Sequence, residues 1–366
     1  MYPLAWWVAL AIPGLLGPLG LFGSPHAIAQ AEPRPKIYYL IPTLIDEFQT
    51  ESQRMIEGVF SALNYRVISI DAQGNPELQI RQLKKAADDH PVAIILNAVD
   101  SVSIAKALQD VKPKGVPVLV YDRMLSTEEA FDFASVSDAE EIGKMAARRT
   151  IELLGIQPGS SVPKTILQIV GDPGDSYSLR VLGGFRTTTN AYKNIRVITV
   201  PAMGWEPGNA RKAAEDALRS NPRVDLIFCH SADLAAAVIP LFESKIRANQ
   251  VMVMAITGAP VGLDNLSSGL QKFEIEQPLY AQVYGLALGL RAVIDVTAGR
   301  PGLKDGKCEF MGVPGSIEHG GRVLKLQGRP LNTDDLKGRA NLGLWGDLAR
   351  PIKSNEEISK LTCESR

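Results

Sequence analysis

Apolar and polar positions along this chain follow two alternating rhythms. Short aliphatic blocks read as strands buried on both faces, and the longer segments between them carry apolar residues at helical spacing. Lys36-Ile37-Tyr38-Tyr39-Leu40-Ile41-Pro42 is the first block, followed by a loop and a helix from about Thr50 to Leu63, with Met55, Ile56, Val59, Phe60 and Leu63 on one face. A second strand, Tyr65 to Ile70, ends on Asp71, and Asn75-Pro76-Glu77 opens the next helix with an N-cap and a first-turn proline. Val92 to Leu96 is a strand, Val102 to Val111 a helix, and Val118-Leu119-Val120 a further strand that Pro117 can only begin.

The rhythm then starts again. Strands are expected at Thr165 to Val170, Ile195 to Val200, Val224 to Cys229 and Val251 to Ile256. Helices are expected at Ser176 to Tyr192, Asn209 to Ser220 and Leu234 to Lys245, with a long one later from about Leu279 to Ala298. Two β-α series joined around Ser135 to Ala139 imply an α/β protein: two doubly wound parallel-sheet domains with a hinge and an interdomain cleft. The expected boundaries are 36–138 plus 277–305 for the first domain and 139–276 plus 306–366 for the second. The segment from Gly302 onward, with Gly312, Gly315, Gly320, Gly321, Gly328, Pro314 and Pro330, reads as a loop-rich wrap on the second domain, with one strand at Val323 to Leu326.

The leader differs from the rest. Leu4 to Phe22 holds no charged residue, and Ala27, Ala29 and Ala31 follow, ahead of Glu32-Pro33-Arg34-Pro35-Lys36. Residues 1–31 read as a secretory signal that directs the chain to the periplasm. The missing basic residue ahead of the apolar run leaves an uncleaved anchor as the alternative. A net charge of -1 gives no reason to expect a nucleic-acid partner. Cys229 lies inside an apolar run, whereas Cys308 and Cys363 fall in the tail, where export would permit a disulfide that spacing alone does not establish. No metal site is expected, because His26, His90, His230 and His319 are scattered and no cysteine pairing has zinc spacing.

Candidate chemistry sits at the strand ends, where open α/β sheets bind ligands. Asp122 and Arg123 follow their strand directly and offer a carboxylate acceptor and a rigid fork of donors. An ion pair or helix cap is the plainer reading of that pair. The first strand is not followed by G-x-G-x-x-G, and no G-x-S-x-G elbow occurs, so neither a dinucleotide enzyme nor a hydrolase is indicated.

The order of several motifs resembles the type I periplasmic sugar-binding proteins, the ribose- and xylose-binding group of ABC importers, over roughly Lys36 to Pro301. These motifs are Asn97-Ala98-Val99-Asp100-Ser101, Val116 to Met124, Ser137-Asp138, Gly204-Trp205-Glu206-Pro207-Gly208-Asn209-Ala210, Gly258-Ala259-Pro260 and Glu276-Gln277-Pro278. The resemblance implies a non-catalytic binding protein, monomeric and without cofactor. It would deliver a monosaccharide to an importer permease or, alternatively, serve a membrane sensor such as a histidine kinase or chemoreceptor. It places Asp46, Phe48, Gln49, Asp100, Asp122 and Arg123 of the first domain at the ligand, with Arg180, Trp205, Ser231, Thr257 and Glu276 opposite. Trp205 would stack on the C–H face of a sugar ring while charged groups hold its hydroxyls. The family commonly has Asn-Asp where this chain has Ser231-Ala232, Asp where it has Thr257, and Gln where it has Glu276. The second half of the site is therefore expected to have lost long polar side chains. The lac-repressor family shares the two-domain core, but needs a helix-turn-helix where this chain has its apolar leader.

Overall fold

The computed structural model describes residues 33–127, 130–337 and 351–365. The leader with its signal reading, and the part of the tail at 338–350, lie outside the described residues.

The first lobe begins with β1 (Lys36–Ile41), α1 (Glu47–Ala62), β2 (Arg66–Asp71), α2 (Pro76–Asp88), β3 (Ala93–Leu96), α3 (Ser101–Val111), β4 (Val118–Tyr121) and β5 (Phe133–Ser137). The chain crosses to the second lobe at α4 (Ala139–Leu153), then runs β6 (Lys164–Val170), α5 (Ser176–Thr189), β7 (Ile195–Pro201), α6 (Pro207–Ser220), β8 (Leu226–Cys229), α7 (Ala232–Arg247), β9 (Met252–Thr257), α8 (Pro260–Ser267) and β10 (Phe273–Glu276). It returns at α9 (Leu279–Thr297). The tail adds β11 (Gly306–Phe310), β12 (Val313–Glu318), β13 (Val323–Leu326), β14 (Arg329–Leu331), α10 (Asn355–Ser359) and β15 (Glu364–Ser365).

Both sheets are wound alike. The parallel part of the first has the order β2-β1-β3-β4-β5, and that of the second β7-β6-β8-β9-β10. Each therefore reverses direction beside its first strand, between β1 and β3 and between β6 and β8, which opens a crevice at the carboxyl ends of the strands. Helices cover both faces. In the first lobe α1 and α9 close one side and α2 and α3 the other, so β3 and β4 are buried along their whole length. α9 is long and apolar enough to cross a membrane, but it packs on β4, β5 and α1 as a core helix. Each of its fully buried aliphatic side chains, such as Leu279, Val283 and Leu286, contributes about 1.5–3 kcal/mol. In the second lobe α4 and α5 pack backbone to backbone, because a Cβ at Gly143 would meet the Val181 carbonyl at 2.1 Å and one at Gly184 the Glu140 carbonyl at 2.0 Å.

The tail departs from the sequence expectation. Residues 306–326 were expected on the second domain, yet β13 pairs in parallel with β5, and β12, β11 and β15 extend the first sheet antiparallel. β5 offers the free edge that they complete. Of the described tail strands, β14 alone pairs in the second sheet, antiparallel to β10. Cys308 and Cys363 form a disulfide that ties β11 to the end of the chain. Cys229 is a buried free thiol.

Candidate functional site

The two crevices face each other across one narrow pocket of about 30 Å³. Its walls come from the carboxyl ends of strands in both lobes: Asp46, Phe48, Gln49, Asp122 and Arg123 from the first, and Asp175, Tyr177, Trp205, Ser231, Asp233 and Thr257 from the second, with Gln277 in the crossover between β10 and α9.

Local chain chemistry sets each side chain. Asp46 caps α1 by accepting the Gln49 N–H at 2.8 Å. Phe48, one residue into that helix, stacks on Tyr121 with ring centres 6.4 Å apart, and so fixes the pocket edge to β4. Asn97 follows β3 and donates to Gln49 Oε1 at 3.0 Å and to Asp122 at 3.4 Å. Gln277 reaches Asp122 from the crossover at 2.8 Å. Asp122 therefore holds two amide donors, one from its own lobe and one from the crossover.

Arg123 joins the lobes. Its Nε lies 3.1 Å from the Asp175 carboxylate and 3.9 Å from Asp122, and one terminal nitrogen donates to the Ala98 carbonyl at 3.0 Å. Asp175 caps α5 through the N–H groups of Tyr177 and Ser178, and also accepts the Trp205 indole N–H at 3.0 Å. The indole rests on the bare backbone of Gly171, where a Cβ would lie 2.1 Å from the ring. The guanidinium stands 6.0 Å from the indole centre, a cation–π arrangement.

Three of the lining residues, Asp122 (φ 61°), Trp205 (φ 57°) and Thr257 (φ 115°), hold positive φ without being glycine. Such conformations cost about 1–3 kcal/mol each and gather where side chains must be aimed.

Burial and mutual charge set the titration. Burial pushes Asp122 up to about 6, against the pull of Arg123 and with a further push from Asp175. Asp46 rises to about 7 through burial, despite its helix cap and Arg123, and Asp233 adds to the rise. Burial also raises Asp175 and Asp233. Burial alone would lower Arg123, but Asp175, Asp122 and Asp46 outweigh it, so the guanidinium stays charged.

Of the residues expected at the ligand, three lie outside the lining. Asp100 caps α3, with its Oδ1 accepting from Val102 and Ser103, while the adjoining Ser101 N–H meets the Gly174 carbonyl across the cleft at 3.3 Å. Arg180 is exposed on α5, a turn beyond the residues that enter the cleft, near Glu140. Glu276 turns toward β14 and pairs with Arg329, its Oε2 2.7 Å from the arginine Nε. Its neighbour Gln277 takes the pocket position, so the expected glutamine is present one residue later. Asp175, Tyr177, Asp233 and Gln277 line the pocket without having been singled out. The expected loss of long polar groups is therefore made good by Asp233 and Gln277. Among the described residues no group of histidine, cysteine or carboxylate side chains is placed to hold a metal.

The comparisons agree with this architecture. A D-xylose-binding periplasmic protein of Escherichia coli (strain K12) is 22% identical over 245 residues, covering 64% of this chain and 72% of the relative. The ribose import binding protein RbsB of Bacillus subtilis (strain 168) is 24% identical over 219 residues, covering 60% and 68%. A Mycobacterium smegmatis protein solved with β-D-fucofuranose superposes with a TM-score of 0.73 at 16% identity, covering 90% of this chain and 99% of that one. A Caulobacter myo-inositol binding protein gives 0.71 at 20% identity, covering 85% and 98%. The two structural matches speak to the fold. The model of the periplasmic binding protein domain matches residues 37–297, and this chain belongs to that family.

Proposed function

We propose that the protein captures a monosaccharide-sized polyhydroxylated ligand between its lobes and delivers it, chemically unchanged, to the permease of an ABC importer. The observation that carries this reading is the shared wall of the pocket: Asp122 and Arg123 from one lobe, and Trp205 and Asp175 from the other. Hydroxyls suit the carboxylates and the guanidinium, and a ring's C–H face suits the indole. A ligand touching both lobes stabilises the closed arrangement, which a membrane partner can then read. The names of the relatives favour a sugar. The disulfide between Cys308 and Cys363 suits an oxidising compartment such as the periplasm, where the chain would act as a monomer.

Titration calorimetry with pentoses, hexoses and cyclic polyols tests the reading. Saturable heat with a subset, accompanied by a change in Trp205 fluorescence, is expected. Absence of heat with every sugar and polyol of that panel would remove it.

A further inference from the structure

We infer that Ser178 is a positioning residue for ligand binding: through the Gly171 backbone it holds the Trp205 indole in the plane on which the ligand stacks. The inference deepens the sugar-binding reading and rests on it.

The first turn of α5 holds the indole from two directions. At the nitrogen end, Asp175 Oδ2 accepts the Trp205 Nε1–H at 3.0 Å. At the six-membered ring, a Cβ on Gly171 would lie 2.1 Å from Cζ2 and 2.6 Å from Cη2, so the ring sits directly on that backbone. Gly171 does not hold positive φ. The ring, and not the turn, therefore requires a glycine there. The N–H of the same residue donates to Ser178 Oγ at 2.9 Å, so the seat of the indole is tied to one serine hydroxyl.

That hydroxyl is fixed from behind. It meets His230 Nδ1 at 3.1 Å, and the Gln168 amide nitrogen meets His230 Nε2 at 3.0 Å. An amide nitrogen only donates, so Nε2 accepts and the proton of the neutral ring sits on Nδ1, facing Ser178 Oγ. Ser178 Oγ thus receives the N–H groups of Gly171 and His230, which fills its two acceptor positions. Ser178, His230 and Gln168 are all buried. Helix capping does not account for the arrangement, because Asp175 Oδ1 already accepts the N–H groups of Tyr177 and Ser178. The serine hydroxyl instead serves the end of β6, where the indole rests.

Titration calorimetry on the full chain with D-xylose, D-ribose, D-glucose, D-galactose and myo-inositol would be joined to acrylamide quenching of Trp205, with Trp205→Phe supplying the background of the other tryptophans. In Ser178→Ala the Gly171 N–H loses its acceptor. Affinity for the sugars that the wild type binds should then fall by roughly threefold to tenfold, the cost of ordering a released side chain on binding, and quenching of the free protein should rise. Ser178→Cys keeps the bulk but accepts hydrogen bonds only weakly, and decides by the same readouts should Ser178→Ala not fold. Gly171→Ala displaces the ring from its other side and should cost about tenfold or more. Thr150→Val deletes a buried hydroxyl of the same lobe that does not line the pocket, and should change stability alone. Wild-type affinity and quenching in the Ser178 variants, or an equal loss of affinity in Thr150→Val, overturns the inference and leaves the sugar-binding reading standing. Failure of the whole panel with the wild type overturns both.

Discussion

The two lobes share one plan but not one chemistry. After the first strand of each parallel series, an aspartate caps the next helix: Asp46 in one, Asp175 in the other. After the third come Asn97 and His230, and at the end of the fourth come Asp122 and Thr257, both at positive φ. The backbone thus delivers side chains to the cleft at matching stations. What differs is charge. The first lobe puts an acid and a base together at its fourth station, Asp122 with Arg123, where the second has Thr257 and Gly258. The second answers from its first station, with Asp175. Equivalent geometry therefore leaves binding strength unequally divided.

The sharpest break of that comparison is a pair of substitutions at the fourth stations. Arg123→Ala removes the cation shared by two buried carboxylates, and truncating such a partner costs about 2–5 kcal/mol. Ligand affinity should fall by roughly 30-fold or more, with a lower melting temperature because Asp122 and Asp175 stay buried without their base. Thr257→Ala removes one hydroxyl and should cost about 1 kcal/mol, a fall of roughly fivefold. Calorimetry on both variants decides. Losses of similar size would mean that the matching stations share the work equally, contrary to the charge distribution.

A second contrast lies at the sheet edges. The first sheet is extended by β13, β12, β11 and β15 and locked by Cys308–Cys363, whereas the second gains only β14 among the described residues. The bridge spans 55 residues of sequence, and closing a loop of that order typically stabilises by about 2–4 kcal/mol. Replacing both cysteines by serine should lower stability by that amount and raise amide exchange in β11 to β13 and β5. Exchange in β6 to β9 should stay as it was. Equal loss of protection in both sheets would show that the lobes unfold as one unit.

The sequence made the β-α series legible because strands such as Ala93–Leu96 and Leu226–Cys229 are apolar throughout and the helices keep their period. β5 escaped notice because Phe133-Ala134-Ser135-Val136-Ser137 carries small polar residues, although all five are buried. Ser135 fits there by donating its hydroxyl to the Gln282 carbonyl of α9 at 2.7 Å. In the tail, the strand expected at Val323 to Leu326 is β13, but its partner β5 lies far away in sequence, so the sheet it joins was not legible. β11, β12 and β14 carry glycine or proline, and there composition spoke for loops. At the site, the residue types at strand ends were readable but their aim was not. Whether Glu276 or Gln277 faces the pocket depends on the pleat of β10 and its pairing with β14, which no local pattern records. Asp175 had the same signature as Asp46, a cap before a helix at a strand end. The repeat of stations that exposes its role emerges only from the sheet order.

The third stations give the smallest and most selective contrast. Asn97 does not titrate, whereas His230 is fully buried against Gln168 and Ser178, at 3.0 Å and 3.1 Å. Burial lowers its pKa to about 3, while an unfolded histidine titrates near ~6.5. Between these values the unfolded chain binds the proton and the folded one does not, so stability falls as pH drops from about 6.5 toward 3. At pH 5 the loss is about 2 kcal/mol, and near pH 7 it is negligible. Asp122 and Asp46 work in the opposite sense, because their raised values make acid favour the folded form, between about 4 and 6 for Asp122 and between about 4 and 7 for Asp46. His230→Gln should therefore lower stability by a similar amount at every pH through lost packing, while removing the share of the acid loss that His230 adds below pH 6.5. Denaturant unfolding at pH 5 and pH 7 reads the difference between those slopes, which an effect on packing alone does not move. If the variant keeps the wild-type slope, the acid sensitivity belongs elsewhere, and the third stations are as alike in titration as they are in position.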